Sequence, residues 1–251
     1  MMEEQHIPMI RYDDNLLKKI GDVQKYIKSH YARKLLTWVL NSKYRDAVQL
    51  EKWLEAQVSK PSESVLQFME SNFGSRFLKW SHDEIAWRVM DAVQDQIQYV
   101  TDNRRWGMPE KWATADETLT ATTVVNGVTF GPMQGDCEDG SILIYVVCRL
   151  MGVPKESLFL WAGDVVGGGH CCCVYRPKNY PFQFAFMDWC YWKSKDRIDM
   201  GRFLYNIDGN AVIGERVLGG KQTGAIDRNY QKMWFIVNEE ESFLTLKYEV
   251  V

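Results

Sequence analysis

The chain has 251 residues, 46% hydrophobic and 25% charged, with a formal net charge of −3. That length suits one large domain, or a core domain with an appendage. The slight acidity excludes a global basic field for nucleic acid or anionic lipid, and no stretch approaches the ~20 apolar residues of a membrane-spanning helix.

The N-terminus, Met1-Met2-Glu3-Glu4, lacks the basic start and apolar run of a secretory signal, so a cytoplasmic location is expected. Six cysteines stand at positions 137, 148, 171, 172, 173 and 190. Three are consecutive and none forms a CxxC pair, which argues against a disulfide framework and a zinc ribbon. Cys148, Cys172 and Cys190 are expected to be small buried residues in a reducing compartment.

Residues from about 14 to 100 carry helical periodicity. Leu16, Leu17, Ile20, Val23, Tyr26 and Ile27 form one stripe, and further runs cover Leu35 to Val39, Ala47 to Val58 and Ser62 to Glu70. Ser81-His82-Asp83-Glu84 is a capping-box start. Ile85, Val89, Ala92, Val93, Ile97 and Val100 then make an apolar stripe. Residues 1–78 are assigned to a helical N-terminal region and 79–251 to a catalytic domain with its core at about 80–192. From Thr101 to Gln134 periodicity fades, and Trp112 to Thr118 reads as loop. Val124 to Phe130 reads as a hairpin around Asn126-Gly127.

A buried helix is expected from Cys137, with Gly152 as its stop and Pro154 just beyond. Strands are expected at Leu158 to Ala162, His170 to Tyr175 and Phe182 to Asp188, with Gly167-Gly168-Gly169 as a turn. Late strands are expected at Met233 to Val237 and Phe243 to Tyr248, after a polar, Gly-rich stretch near 209–224.

The informative order is a Cys at a helix start, a His opening a strand and an Asp ending the next strand. A thiolate at a helix N-terminus is stabilised by unpaired N–H groups and the helix dipole. An imidazole takes the thiol proton, and a carboxylate fixes the imidazole tautomer. Cys137 is thus the expected nucleophile, His170 the base and Asp188 its orienter, with Asp196 the rival carboxylate. Gly135 is expected to allow a sharp turn and substrate approach.

Gly135-Asp136-Cys137-Glu138-Asp139, the helix to Gly152-Val153-Pro154, Gly169-His170 and Met187-Asp188-Trp189 resemble the core of transglutaminase-like cysteine proteases, most closely the bacterial group. Trp112-Ala113-Thr114-Ala115-Asp116-Glu117-Thr118 is similar to the family's Trp-x-Thr-x-x-Glu-Thr stretch. The resemblance covers roughly residues 80 to 192. It implies a papain-like α+β fold, with a Cys-bearing helix packed on an antiparallel sheet that carries His and Asp. It also implies acyl transfer through a thioester to water or an amine, with a peptide or protein as substrate. Hydrolysis is the preferred outcome. Protein-glutamine cross-linking and a non-catalytic module that kept the fold are the alternatives. Calcium at Asp136 and Glu138 is implied by relatives that use the acids flanking the Cys, since calcium takes carboxylate oxygens. Acids in a first helical turn also favour the dipole without any ion.

Gln134 and the Trp112 indole are the oxyanion candidates. Glu117 is expected to order the loop before the Cys helix. Trp189 and Trp192 are cleft candidates. The chain departs from the family at Cys171-Cys172-Cys173, where a small residue commonly follows the His. Strand alternation puts Cys172 on the His170 side and Cys171 and Cys173 on the other.

Overall fold

A computed structural model describes residues 47–165, 167–178, 185–190, 230–240 and 242–244. The helical runs expected before residue 47, the Gly-rich stretch, and Tyr191, Trp192 and Asp196 lie outside the described residues.

The chain order begins with helices α1 (Ala47–Ser59), α2 (Glu63–Phe73) and α3 (His82–Gln96). The starts of α2 and α3 have a local cause. Ser62 accepts from the N–H of Val65 at the head of α2. Ser81 and Glu84 exchange both bonds of a capping box at the head of α3. A two-residue strand β1 (Gln98–Tyr99) and the one-turn helix α4 (Asp102–Arg105) follow. Trp112 to Thr118 departs from the loop expected there. Thr114 and Glu117 close a second capping box, and helix α5 (Ala115–Thr120) results. Glu117 therefore caps its own helix, and it also pairs with Lys111 at 2.8 Å.

Strands β2 (Thr123–Val125) and β3 (Val128–Phe130) form the expected hairpin. Asn126 and Gly127 take φ of 50° and 78°, the positive pair that a type I′ turn requires. Strand β4 (Gln134–Gly135) leads into helix α6 (Cys137–Leu150), and Gly152 beyond its end has φ of 96°. Strands β5 (Leu158–Val165), β6 (Gly168–Tyr175), β7 (Ala185–Met187), β8 (Tyr230–Val237) and β9 (Ser242–Leu244) form one antiparallel sheet in the order β7-β6-β5-β8-β9. Gly168 and Gly169, expected in the turn, belong to β6 and pair with Val165 and Asp164.

Every residue of α6 from Glu138 to Cys148 is buried. The helix lies among α1, α3, α5 and the strands β5 and β6. Leu158, Leu160, Ala162, Cys171, Cys173, Tyr175, Met187, Phe235 and Val237 present one face of the sheet to this core. Leu50, Leu54, Val65, Phe68 and Phe73 of the first two described helices join the same core. Truncating a central side chain such as Leu143 to Ala costs ~2–5 kcal/mol, because the site cannot collapse on all sides. The architecture is α+β, with the Cys-bearing helix packed on an antiparallel sheet. Among the described residues no helix is long and apolar enough to cross a membrane.

Candidate active site

Main-chain bonds position the residues before Cys137. β1 runs parallel to β4, pairing Gln98 with Gln134 and Tyr99 with Gly135. The N–H of Gln98 donates to Met133 O and that of Val100 to Gly135 O, each at 2.9 Å. Gly135 serves a purpose other than the one its place in the sequence suggests. A Cβ there would sit 2.5 Å from Cβ of Asp139 and 2.7 Å from its Oδ2, so glycine admits the Asp139 side chain.

Cys137 is the first residue of α6 and is half-buried. Its carbonyl is held twice, by Ser141 Oγ at 2.6 Å and by the Trp189 indole N–H at 3.1 Å. Ser141 Oγ also reaches Cys171 O at 3.3 Å, which ties the helix start to β6 one residue after His170. The Cys137 thiol donates to Glu138 Oε2 at 3.2 Å. Burial and the Asp136 carboxylate push this thiol well up, while the backbone N–H of Cys171 pulls the other way. The helix start alone therefore does not ionise the sulfur; a proton acceptor or a cation has to supply the difference.

His170 lies near the start of β6, buried, and its Nε2 is 2.6 Å from Asp188 Oδ2. Asp188 follows β7, whose Met187 pairs with Cys173. Asp188 Oδ1 also accepts from the N–H of Cys190 at 3.2 Å. The expected His–Asp pair is thus formed across neighbouring antiparallel strands. Alternation along β6 holds as well: Cys171 and Cys173 join the core against α6, and Cys172 is buried but stands outside that cluster.

A cluster of carboxylates surrounds the start of α6. Asp102, Asp136 and Asp139 bring ligand oxygens within 4.8 Å of one another, as do Asp102, Glu110 and Glu138. One buried cation, Arg105, faces them, 3.9 Å from Asp139. Most of its guanidinium instead serves carbonyls, those of Gln134, Glu117 (2.9 Å) and Ala121 (3.3 Å). Burial, then the Asp136 charge, pushes Asp102 up to about 8. Burial also raises Glu110 and Asp136, and lifts Glu138 and Asp139 well above the carboxylate range. Oδ1 of Asp102, Oδ1 of Asp136, Oε1 of Glu138 and Oδ2 of Asp139 are buried with no hydrogen-bond partner. Orphaned, mutually repelling oxygens, here in two groups that share Asp102, are what a hard divalent cation satisfies. The residues fit calcium, and the set is wider than the Asp136 and Glu138 that the family resemblance implies.

Sequence reasoning missed Asp102, Arg105 and Glu110, which lie where periodicity fades. Their one signal is the density of charge around Trp106. It also missed Tyr99, whose ring lies 6.0 Å from that of Trp189 and which the charges of Cys137 and Asp136 help to hold protonated, after burial.

Of the two oxyanion candidates, Trp112 has its one N–H engaged elsewhere, while Gln134 uses one of its two amide hydrogens. Trp112 is buried with its single N–H on Glu110 Oε1 at 2.9 Å, and its ring faces Phe235 at 6.0 Å. The Gln134 amide donates to Gln98 Oε1 at 2.9 Å. Trp189, proposed for a cleft wall, is fully buried and packs on the Cys helix. Trp192 lies outside the described residues.

No protein-family model matches the chain, and no curated protein matches it. Among solved structures it is similar to Legionella pneumophila LapG in a calcium-bound form, at 16% identity and a TM-score of 0.44, over 78% of this chain and 87% of that one. It is similar also to an EGTA-treated form of Legionella pneumophila LapG, at 16% identity and a TM-score of 0.45, over 78% of this chain and 85% of that one.

Proposed function

We propose that the chain is a cysteine-nucleophile acyl-transfer enzyme that hydrolyses a peptide bond or a side-chain amide, with Cys137, His170 and Asp188 as its catalytic set. The observation that carries the reading is the buried 2.6 Å His170–Asp188 pair on the strand whose next residue, Cys171, shares Ser141 Oγ with the carbonyl of Cys137. Asp188 takes the Nε2 side of the ring, so Nε2 carries the proton it donates and Nδ1 is the basic atom. His170 shares the Cys172 face of β6 whereas α6 packs on the Cys171 face, so the imidazole has to reach the sulfur around the glycine start of the strand; Nδ1 then accepts the Cys137 proton and the sulfur attacks the substrate carbonyl carbon. The backbone N–H of Cys137, at the open start of α6, faces the developing oxyanion. As the C–N bond breaks, His170 returns the proton to the leaving amine, and a thioester remains. Water, deprotonated by His170, then releases the acid and restores the thiol.

Calcium is part of this reading. Asp136, Glu138, Asp139, Asp102 and Glu110 would hold it, and when bound it supplies positive charge against a set of carboxylates that oppose a thiolate. Glu138 is the residue concerned most directly, because its Oε2 accepts the hydrogen bond of the Cys137 thiol.

Alkylation by iodoacetamide across pH tests the reading. Cys137 is expected to react fast near neutral pH with calcium present, and His170→Ala is expected to slow it by ~10²-fold or more. A Cys137 that reacts like an ordinary thiol of pKa near ~8.5 in both proteins would leave only a folded module.

A further inference from the structure

His170, Cys172 and Asp188 form a second cluster of ligand-bearing side chains, chemically unlike the carboxylate cluster. One nitrogen, one sulfur and one oxygen lie within 4.8 Å of one another, and all three residues are buried. His170 and Cys172 are two apart on β6 and share a strand face, while Asp188 comes from the end of the neighbouring β7. β6 pairs with β5 along its whole length and with β7 from Cys173 onward, so the β5 ladder holds the backbone at His170 and Cys172.

Imidazole, thiolate and carboxylate on three positions are the donor set of zinc, with a fourth position left for water. Tetrahedral bonds of ~2.0–2.3 Å put ligand atoms ~3.4–3.7 Å apart. The 2.6 Å His–Asp contact opens by about 1 Å to admit such an ion, and the sulfur already lies within reach. The carboxylate cluster offers oxygen only and selects a hard cation; the sulfur here selects a soft one. We propose that His170, Cys172 and Asp188 form a binding site for a thiophilic divalent cation of the zinc class, and that an ion there takes His170 out of proton transfer and reversibly inhibits the enzyme. The inhibitory half rests on the proposed function; the binding half does not.

The test uses the full chain, saturated with calcium, and titrates it with Zn2+ by calorimetry and with Cd2+ by ultraviolet absorption, which reports thiolate–metal bonding. Wild type is expected to bind one ion and show the thiolate band. Cys172→Ser is expected to lose the band and to weaken zinc by more than the ~10–100-fold cost of losing an outer-shell partner. It is also expected to keep its uninhibited turnover and resist zinc. Cys137→Ser is expected to bind as wild type does. A band that survives in Cys172→Ser and disappears in Cys137→Ser overturns the proposal, since the ion then sits on the nucleophile. Absence of binding by wild type overturns it too. Cys172→Ala provides a second variant if serine unfolds the sheet, which a thermal melt reports. Binding with the expected variant pattern but no amidase activity in any sample sinks the proposed function and leaves the metal site standing.

Discussion

Replacing Gly140 with Ala puts the packing of the candidate site to a test whose sign is informative. Gly140 is the fourth residue of α6, one turn from Cys137. In an exposed helix interior Gly→Ala stabilises by roughly 0.5–1 kcal/mol, because glycine loses more backbone freedom on folding. Here a Cβ would meet the Trp189 indole at 2.3 Å from Cε2, 2.4 Å from Nε1 and 2.7 Å from Cζ2, all well inside ordinary contact. Trp189 is fully buried, so the ring has no solvent to retreat into. Overpacking of this kind costs ~1–3 kcal/mol. Moving the indole also breaks its bond to Cys137 O, a net ~0.5–1.5 kcal/mol. The unfavourable sum outweighs the propensity gain, and a net loss of about 1–3 kcal/mol is expected, read as a lower urea midpoint with unchanged slope. Because Trp189 adjoins Asp188, a displacement near 1 Å is also expected to lower amidase turnover by ~10²-fold. A Gly140→Ala protein as stable as wild type or more so would refute the packing of Trp189 on α6.

Other outcomes follow from the same geometry. Asp188→Asn is expected to keep the fold and cut turnover by ~10³–10⁴-fold through loss of imidazole orientation, measured in an amide-hydrolysis assay alongside Cys137→Ala as the blank. Arg105→Met is expected to destabilise by ~3 kcal/mol or more in urea, since three backbone carbonyls and Asp139 lose a buried partner. In EGTA, stability is expected to fall as pH rises from ~4 to ~8. Folded Asp102, raised to about 8, keeps a proton there that the unfolded carboxyl has given up, and the slope is at most ~1.4 kcal/mol per pH unit for that proton. Thermal melts across that range check it, and a rise with pH contradicts it. Thr114→Ala is expected to cost ~1 kcal/mol through loss of the α5 cap, read in the same melts.

Much of the catalytic core was legible because its signals are local. The Ser81 capping box, the Asn126-Gly127 turn, the unbroken apolar run after Cys137 and the alternation at His170–Cys173 each depend on residues a few positions apart. The His170–Asp188 pair was legible because two short strands joined in sequence are commonly neighbours. What escaped depends on packing between distant segments. Asp102 and Glu110 meet Glu138 only when the loop before α5 folds over the head of α6. The indole of Trp112 has one hydrogen, and nothing in its local sequence says that Glu110 takes it. Gly135 invites a reading in terms of chain flexibility, whereas the space it leaves is filled by Asp139. Helix α5 was lost to a loop because six residues are too few to show periodicity, even though its capping box is written in the sequence as Thr114-x-x-Glu117.

The short parallel pairing of residues 98–99 with 134–135 has a consequence for any mutational survey. Its bonds run through amides and carbonyls, so exchanging the exposed side chain at 98 leaves them in place and that position should tolerate broad replacement, whereas Val100 is buried and should not. Proline is the exception at 98, having no hydrogen to give to Met133. A library scored for turnover should therefore show an almost blank column at 98, darkened at one imino acid.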